Sequence, residues 1–279
     1  MRTAFDSPIS APPTAFDSLI SAPPSGRGSA LIVDHQEYAR DVILHGDPLP
    51  CGDVTQYSNF FGQAQALLQP DVALVDLGMI YASLLANDEE LLALMSARTR
   101  VGYALTTLLS DYATAAAALE LVSLVARTSP TPLVLQVPSP MRWLGQTHEL
   151  CLGGSHADIS PELGESRSMY FADWLRRFSS LPVAVLMLDC RRADLPGLAL
   201  DDLAEYSPIL NVTDQYRWSV AQRNDYTVDV AGTDLKGVVV PREYWLAENV
   251  AVPAGDFLLA TIPRETAPET ILSQVADLG

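Results

Sequence analysis

From Ala30 onward the chain alternates short apolar, β-branched runs with longer stretches of helical period. The runs are ALIVD (30–34), VALVD (72–76), VGYAL (101–105), PLVLQV (132–137), VAVLML (183–188), PILNV (208–212), GVVV (237–240) and FLLATI (257–262), eight in all. Continuous apolar runs of this length suit strands buried on both faces, as in a parallel sheet. Helical patterns lie between most of them, at FFGQAQALL (60–68), MIYASLLANDEELLALMSA (79–97), DYATAAAALELVSLVA (111–126), SMYFADWLRRF (168–178) and APETILSQVADL (267–278). The second of these breaks near Asn87-Asp88. The third opens on an Asp or Ser cap. The fourth sets Phe171, Trp174, Leu175 and Phe178 on one face, and the last has a proline near its first turn.

The strand-to-strand spacing is mostly about 20–30 residues, the length of one βα unit. Eight such units predict an α/β fold, a (β/α)8 TIM-type barrel over residues 30–279. The alternative is an open doubly wound parallel sheet. The barrel is preferred because the repeat stays in step from the first run to the last helix. No glycine-rich dinucleotide fingerprint follows the first run.

Residues 1–29 show no sustained period. They are rich in Ser, Pro, Ala and Gly and predict a flexible tail outside the barrel. The tail holds a tandem repeat: TAFDSPISAPP (3–13) is followed by TAFDSLISAPP (14–24), identical at ten of eleven positions, with Pro8 in one copy where Leu19 stands in the other. One aromatic, one acid and one aliphatic before Ala-Pro-Pro is the composition of a short docking motif. Residues 3–24 are therefore a candidate contact for a protein partner, the alternative being a neutral duplication.

Composition narrows the function. A net charge of −17 argues against nucleic acid and anionic membranes as partners and leaves a small-molecule substrate. Self-association through exposed helices is a further expectation. No run approaches the roughly 20 apolar residues of a spanning helix, and the N-terminus lacks a signal-peptide pattern, so a soluble, cytoplasmic protein is expected. Cys51, Cys151 and Cys190 are odd in number and far apart, which fits a reducing compartment. Lys236 is the only lysine. It falls at the start of a predicted strand, on the face opposite a barrel's active site, which disfavours Schiff-base chemistry.

A barrel carries its chemistry at the C-terminal ends of the strands. Those ends read Asp34-His35, Asp76, Thr106-Thr107, Gln136 with Pro138-Ser139-Pro140, Asp189-Cys190-Arg191, Asn211 with Thr213-Asp214, Pro241-Arg242-Glu243, and Thr261 with Arg264. Asp34, Asp76 and Asp189 are candidate general acids or bases, with a pKa raised by burial among like charges. Gln136, Ser139, Arg142, Asn211, Asp214, Arg242 and Arg264 are candidate substrate-binding groups. Arg142, Arg191 or Arg242 would grip a carboxylate or phosphate with a two-pronged guanidinium. Residues 138–168 predict a long loop of the kind that forms lids, from which His148 or His156 would join the acid–base work. His148, Cys151, His156 and Asp158 are zinc-ligating types at a spacing that matches no established pattern. Cys190, beside Arg191 and Arg192, is a candidate low-pKa thiol or a structural one.

PLVLQVPSPMRWL (132–144) resembles the strand and Pro-Ser/Gly-Pro loop of the cobalamin-independent methionine synthase and uroporphyrinogen decarboxylase superfamily. ATIPRETAPETILSQVADL (260–278) is similar to the closing strand and Pro-Glu helix of that barrel. The resemblance implies either a zinc-dependent alkyl transfer or a metal-free decarboxylation resting on aspartate and arginine. Methionine synthases of this type hold zinc with a His-x-Cys pair, a glutamate and a later cysteine. Here Leu188 stands where the histidine would be, and no cysteine follows Cys190. The expected function is therefore a lyase or decarboxylase acting on a small anionic metabolite without cofactor or metal, with Arg142, Asp189 and Arg242 as analogues of the decarboxylase groups. The alternatives are a zinc-dependent alkyl transferase using Cys190 with His148 or His156, and a non-catalytic scaffold barrel.

Overall fold

The computed structural model describes residues 14–153, 156, 159–247 and 250–278. Eight strands form one sheet that curls into a nearly closed barrel: β1 (Ala30–Asp34), β2 (Ala73–Asp76), β3 (Leu133–Pro138), β4 (Val183–Asp189), β5 (Ser219–Arg223), β6 (Thr227–Val230), β7 (Lys236–Val239) and β8 (Phe257–Thr261). Neighbours in space are neighbours in sequence, and β8 returns to pair with β1. All the pairings are parallel except the two that β6 makes, with β5 and with β7. The sheet is therefore mixed, with one reversed strand.

The ladder is interrupted between β1 and β2, and Asp71 bridges that seam. Its backbone N–H donates to the Leu31 carbonyl (2.8 Å), while its carboxylate accepts from the N–H groups of Leu31 and Ser25 (both 2.8 Å). Asp71 is fully buried, with the Arg27 guanidinium 3.6 Å away. One side chain thus imitates the strand partner that the seam lacks.

Twelve α-helices accompany the strands among the described residues. Those between β1 and β2 are α2 (Gln36–Ile43) and α3 (Val54–Leu68), after α1 (Ala15–Ser21) at the front. Between β2 and β3 lie α4 (Leu77–Leu85), α5 (Glu89–Met95), α6 (Tyr103–Ser110) and α7 (Tyr112–Thr128). Next come α8 (Pro140–Cys151), α9 (Pro161–Leu175), α10 (Ser207–Tyr216), α11 (Arg242–Leu246) and α12 (Pro268–Asp277). The predicted break at Asn87-Asp88 is real, because Asp88 caps α5, and Asp111 caps α7 as its sequence promised. Among the described residues no single helix is long and apolar enough to cross a membrane. The bent pair α6–α7 has the composition, and it turns its Leu and Val side chains into the core.

Three predicted features are corrected. VGYAL is not a strand: Gly102 takes a left-handed turn (φ +81°) and α6 begins, burying Ala104, Leu105, Leu108 and Leu109 at helical spacing. PILNV is not a strand either, because Pro208 opens α10, whose Ile209, Val212 and Thr213 form one buried stripe. The two strands this leaves wanting are β5 and β6. Their half-exposed, alternating faces carry no continuous apolar run. The segment 138–168 is also largely helical rather than a loop: Ser139 caps α8, and α9 starts at Pro161.

The second copy of the N-terminal repeat belongs to the fold, contrary to the expected flexible tail. Thr14 and Asp17 form a reciprocal capping box, and Phe16 and Leu19 are buried. Phe16 meets Phe257 edge-to-face at 5.3 Å and joins the cluster of Ala30, Val72, Ala184 and Phe257, which lie at or within one residue of the starts of four strands. So α1 stops the N-terminal end of the barrel. Gly237 makes this possible: any Cβ there would lie 2.3 Å from the Phe257 ring. Leu19 sits past the first helical turn, where a proline would remove a backbone bond and clash with the preceding turn. That position is the one difference between the copies. Residues 3–13 lie outside the described residues.

Candidate active site

Alternation along the strands builds the site. On β1 the inward positions are Ala30, Ile32 and then Asp34. On β4 they are Val185, Met187 and Asp189, on β5 Ala221 and Arg223, and on β8 Phe257, Leu259 and Thr261. The intervening residues, such as Leu31, Val33, Leu186 and Leu188, face the helices. Each inward column is apolar until its last residue. Strand register then sets these last residues side by side, pairing Asp34 with Thr261, Asp76 with Gln136 and Asp189 with Arg223.

Arg223 is the hub. It is fully buried and donates to Asp34 Oδ2 (2.5 Å), Gln136 Oε1 (2.5 Å) and Thr261 Oγ1 (2.6 Å), reaching across the barrel. Gln136 is fixed in orientation by this contact, and its amide nitrogen donates to Asp76 Oδ2 (2.7 Å) and more distantly to Asp34 Oδ2 (3.4 Å). Asp76 also caps α4, with Oδ1 accepting from the Met79 N–H (3.1 Å). Gly78 leaves the room for this turn, since a Cβ there would press on Pro138 and Asp76. Asp189 is held by Arg191, Nε to Oδ1 (2.9 Å) and Nη2 to Oδ2 (2.8 Å), with Arg142 Nε 3.3 Å from Oδ2.

The three carboxylates share one mouth but not one protonation state. Burial pushes Asp34 upward, and the charges of Arg223 and Arg191 outweigh it, so its pKa ends below the ordinary value. Burial likewise opposes Asp189, and the Arg191 hydrogen bonds and charge win there too. Among the described residues Asp76 forms no ion pair. Burial, then the negative charges of Asp34 and Asp189, raise it to about 6 despite the bonds from Met79 and Gln136.

Asp34, Asp76, Asp189 and Gln136 thus converge as the sequence predicted. Arg142 joins them through Asp189. Ser139 stands one step back, fully buried: its hydroxyl donates to Asp201 (2.7 Å), which also accepts from the Tyr206 hydroxyl (2.7 Å). Asn211 and Asp214 lie on exposed positions of α10, because their predicted strand is a helix. Arg242 and Arg264 are exposed beyond the ends of β7 and β8, paired with Glu265 and with Glu37 and Asp41 respectively.

His148 lies on α8 and is half-buried. His156 is buried, with Nδ1 3.2 Å from the Pro196 carbonyl oxygen and Nε2 3.8 Å from Glu149. Neither has a hydrogen bond or ion pair to the carboxylates among the described residues, and Asp158 lies outside those residues. His35, next to Asp34, turns the other way, towards Gln65 and Phe61, and burial lowers its pKa to about 4.

Cys190 is not an activated thiol. Burial, then Asp201 and Asp189, push its pKa well above the ordinary value, while the neighbouring guanidinium groups are turned to Asp189 and to the Leu198 carbonyl. Its sulfur contacts the Leu188 carbonyl oxygen and Gln222. Among the described residues no three His, Cys, Asp or Glu side chains stand together as a metal site requires. Cys190 and His156 do not fit a zinc centre, since each is turned to other partners.

Arg223 and Thr261 complete the site beyond the predicted set. Thr261 stood at a recognised strand end. Arg223 was hidden because SVAQR alternates polar and apolar residues, and the signal that reveals it is the Asn224-Asp225 turn between two alternating segments. Comparison with protein-family models, curated proteins and solved structures yields no match to this chain.

Proposed function

We propose that this chain is an enzyme on a variant (β/α)8 barrel, in which β6 is reversed, acting as a lyase or decarboxylase on a small anionic metabolite without a metal. The observation that carries the reading is Asp76. It is the one carboxylate of three at the mouth that no cation neutralises, and its pKa of about 6 suits proton transfer near neutrality. Burial, joined by the negative charges of Asp34 and Asp189 that their arginines hold ionised, raises Asp76 so that its protonated form is available just below neutrality. Arg191, partly exposed, is the cation at the mouth that an anionic substrate meets first.

In a decarboxylation the carbon–carboxylate bond breaks, carbon dioxide leaves, and the electron pair stays on carbon. Asp76 gives its proton to that carbon and is reprotonated from water. Aspartate and arginine without metal agree with the decarboxylase branch of the superfamily whose strand-and-loop segment residues 132–144 resemble. The convergent, buried ionic cluster, with one carboxylate raised beside two lowered ones, favours catalysis over a scaffold role.

Turnover of a panel of small mono- and dicarboxylic acids tests the reading. With a substrate in hand, Asp76→Asn is expected to lower kcat by about 10²–10⁴-fold, the usual contribution of a positioned proton donor. The reading fails if Asp76→Asn and Asp189→Asn both leave turnover unchanged.

A further inference from the structure

The contact between Arg142 and Asp194 is lopsided. Arg142 is buried, its side chain only 9% exposed, while the Asp194 side chain is 57% exposed. The pair is nevertheless two-pronged, with Nη1 to Oδ1 at 2.6 Å and Nη2 to Oδ2 at 2.8 Å. Nη1 also donates to the Arg191 carbonyl (2.5 Å), and Nε faces Asp189 without a hydrogen bond. The guanidinium is therefore fixed from behind by the site itself, and its outer face is covered by a single carboxylate that stands half in water. The backbone around Asp194 is pinned independently: Leu195 and Leu198 are buried, packed where Gly145 leaves room. Asp194 can leave the guanidinium by rotating its own side chain, with no loop to unfold.

Resting on the proposed decarboxylase reading, we infer that the outer face of Arg142 is a substrate-carboxylate subsite and that Asp194 is a built-in occupant which the incoming carboxylate displaces. The ligand class follows from what sits there. A planar guanidinium offering two parallel N–H groups matches a planar carboxylate, and Asp194 already shows the fit. The position follows from Asp189, which Arg142 and Arg191 share, so a carboxylate held here lies beside the charged mouth. A second acidic group on the same small molecule would be left to meet Arg191. The inferred substrate is thus a small di- or polycarboxylic acid.

Calorimetric titration with malonate, and with inorganic phosphate as the competing class, tests this on the full chain. Wild type should bind malonate weakly but saturably, which a permanent strap would not permit. Removing the internal competitor in Asp194→Ala should tighten malonate binding by about tenfold or more, since apparent affinity scales with the fraction of sites left free. Asp194→Asn, which keeps the shape and removes the charge, should do the same if the alanine variant folds poorly. Arg142→Lys, which keeps the charge but loses the fork, should abolish the gain.

The inference is overturned if wild type shows no saturable malonate binding, if the gain survives Arg142→Lys, or if phosphate is preferred in Asp194→Ala. Asp76→Asn should bind malonate as wild type does. A loss of turnover with normal malonate binding in that variant supports both readings. Normal turnover in it would defeat the proton-transfer reading and leave this one standing.

Discussion

At the N-terminal end of the barrel, Phe16 and Leu19 of α1 close the interior against Phe257 and the first residues of the strands. At the C-terminal end, the same interior columns finish in Asp34, Asp76, Asp189 and Arg223. Both ends are buried, and they differ in what burial does there. At the apolar end, removing side chains from water is itself the stabilising event. At the polar end it is a cost, offset most fully where a charge finds an opposite charge, and Asp76 has hydrogen bonds but, among the described residues, no ion pair. The contrast separates an end of the barrel stabilised by burial from an end whose charges are held against it.

The strongest way to break this contrast is at its hub. Arg223→Met should destabilise the protein by about 3–5 kcal/mol in urea unfolding, because it strands the Asp34 carboxylate in a buried site. A loss below about 1 kcal/mol, the scale of an exposed ion pair, would mean that water enters the mouth freely. At the other end, Phe16→Ala should cost about 3 kcal/mol, the lower range for a buried phenylalanine. It should do so without moving the titration of the carboxylates, and a shifted Asp76 titration would show that the two ends are coupled.

The most diagnostic effect, no larger than that of Phe16→Ala, lies in pH dependence. Asp76 has a folded-state pKa of about 6, raised above its unfolded value, so its ionisation opposes folding. Its contribution is favourable at low pH and is lost as pH rises from the unfolded value to about 6, by up to roughly 3 kcal/mol at 1.36 kcal/mol per pKa unit. Asp34 and Asp189 have the opposite sign. Their folded values are lowered, so the stability they give is present above the unfolded pKa and fades as pH falls through the folded one. Unfolding free energies of wild type and Asp76→Asn between pH 4 and pH 7 isolate the first effect. The wild type should lose stability across that window relative to the variant, and parallel curves would refute the raised pKa.

Much of this molecule was legible in the chain. Of the six apolar runs that end in strands, all but β7 are buried along nearly their whole length, and strand alternation puts the polar residues that close β1 to β4 inside the mouth, whereas Arg242 beyond β7 is exposed. That logic found Asp34, Asp76, Asp189 and Gln136. It failed where burial is one-sided. VGYAL and PILNV are apolar enough for strands, yet glycine and proline start helices there, and the hairpin that carries Arg223 lacks a continuous apolar run. The repeat misled for a related reason. Seven residues are too short to show a period, and the Thr14–Asp17 box that starts α1 was masked by the surrounding prolines.

The sequence by itself determined the polarity of the barrel: apolar columns capped by acids fix which end is core and which is site, because side-chain alternation is a local property of the backbone. It also held the one difference between the two repeat copies, Leu19 against Pro8. Tertiary structure decided the rest. Only folding brings Arg223 across the barrel to Asp34, sets Asp194 on the outer face of Arg142 and leaves Asp76 without a cation. Protonation states in a buried cluster depend on distances between residues far apart in the chain, and no local pattern encodes those distances.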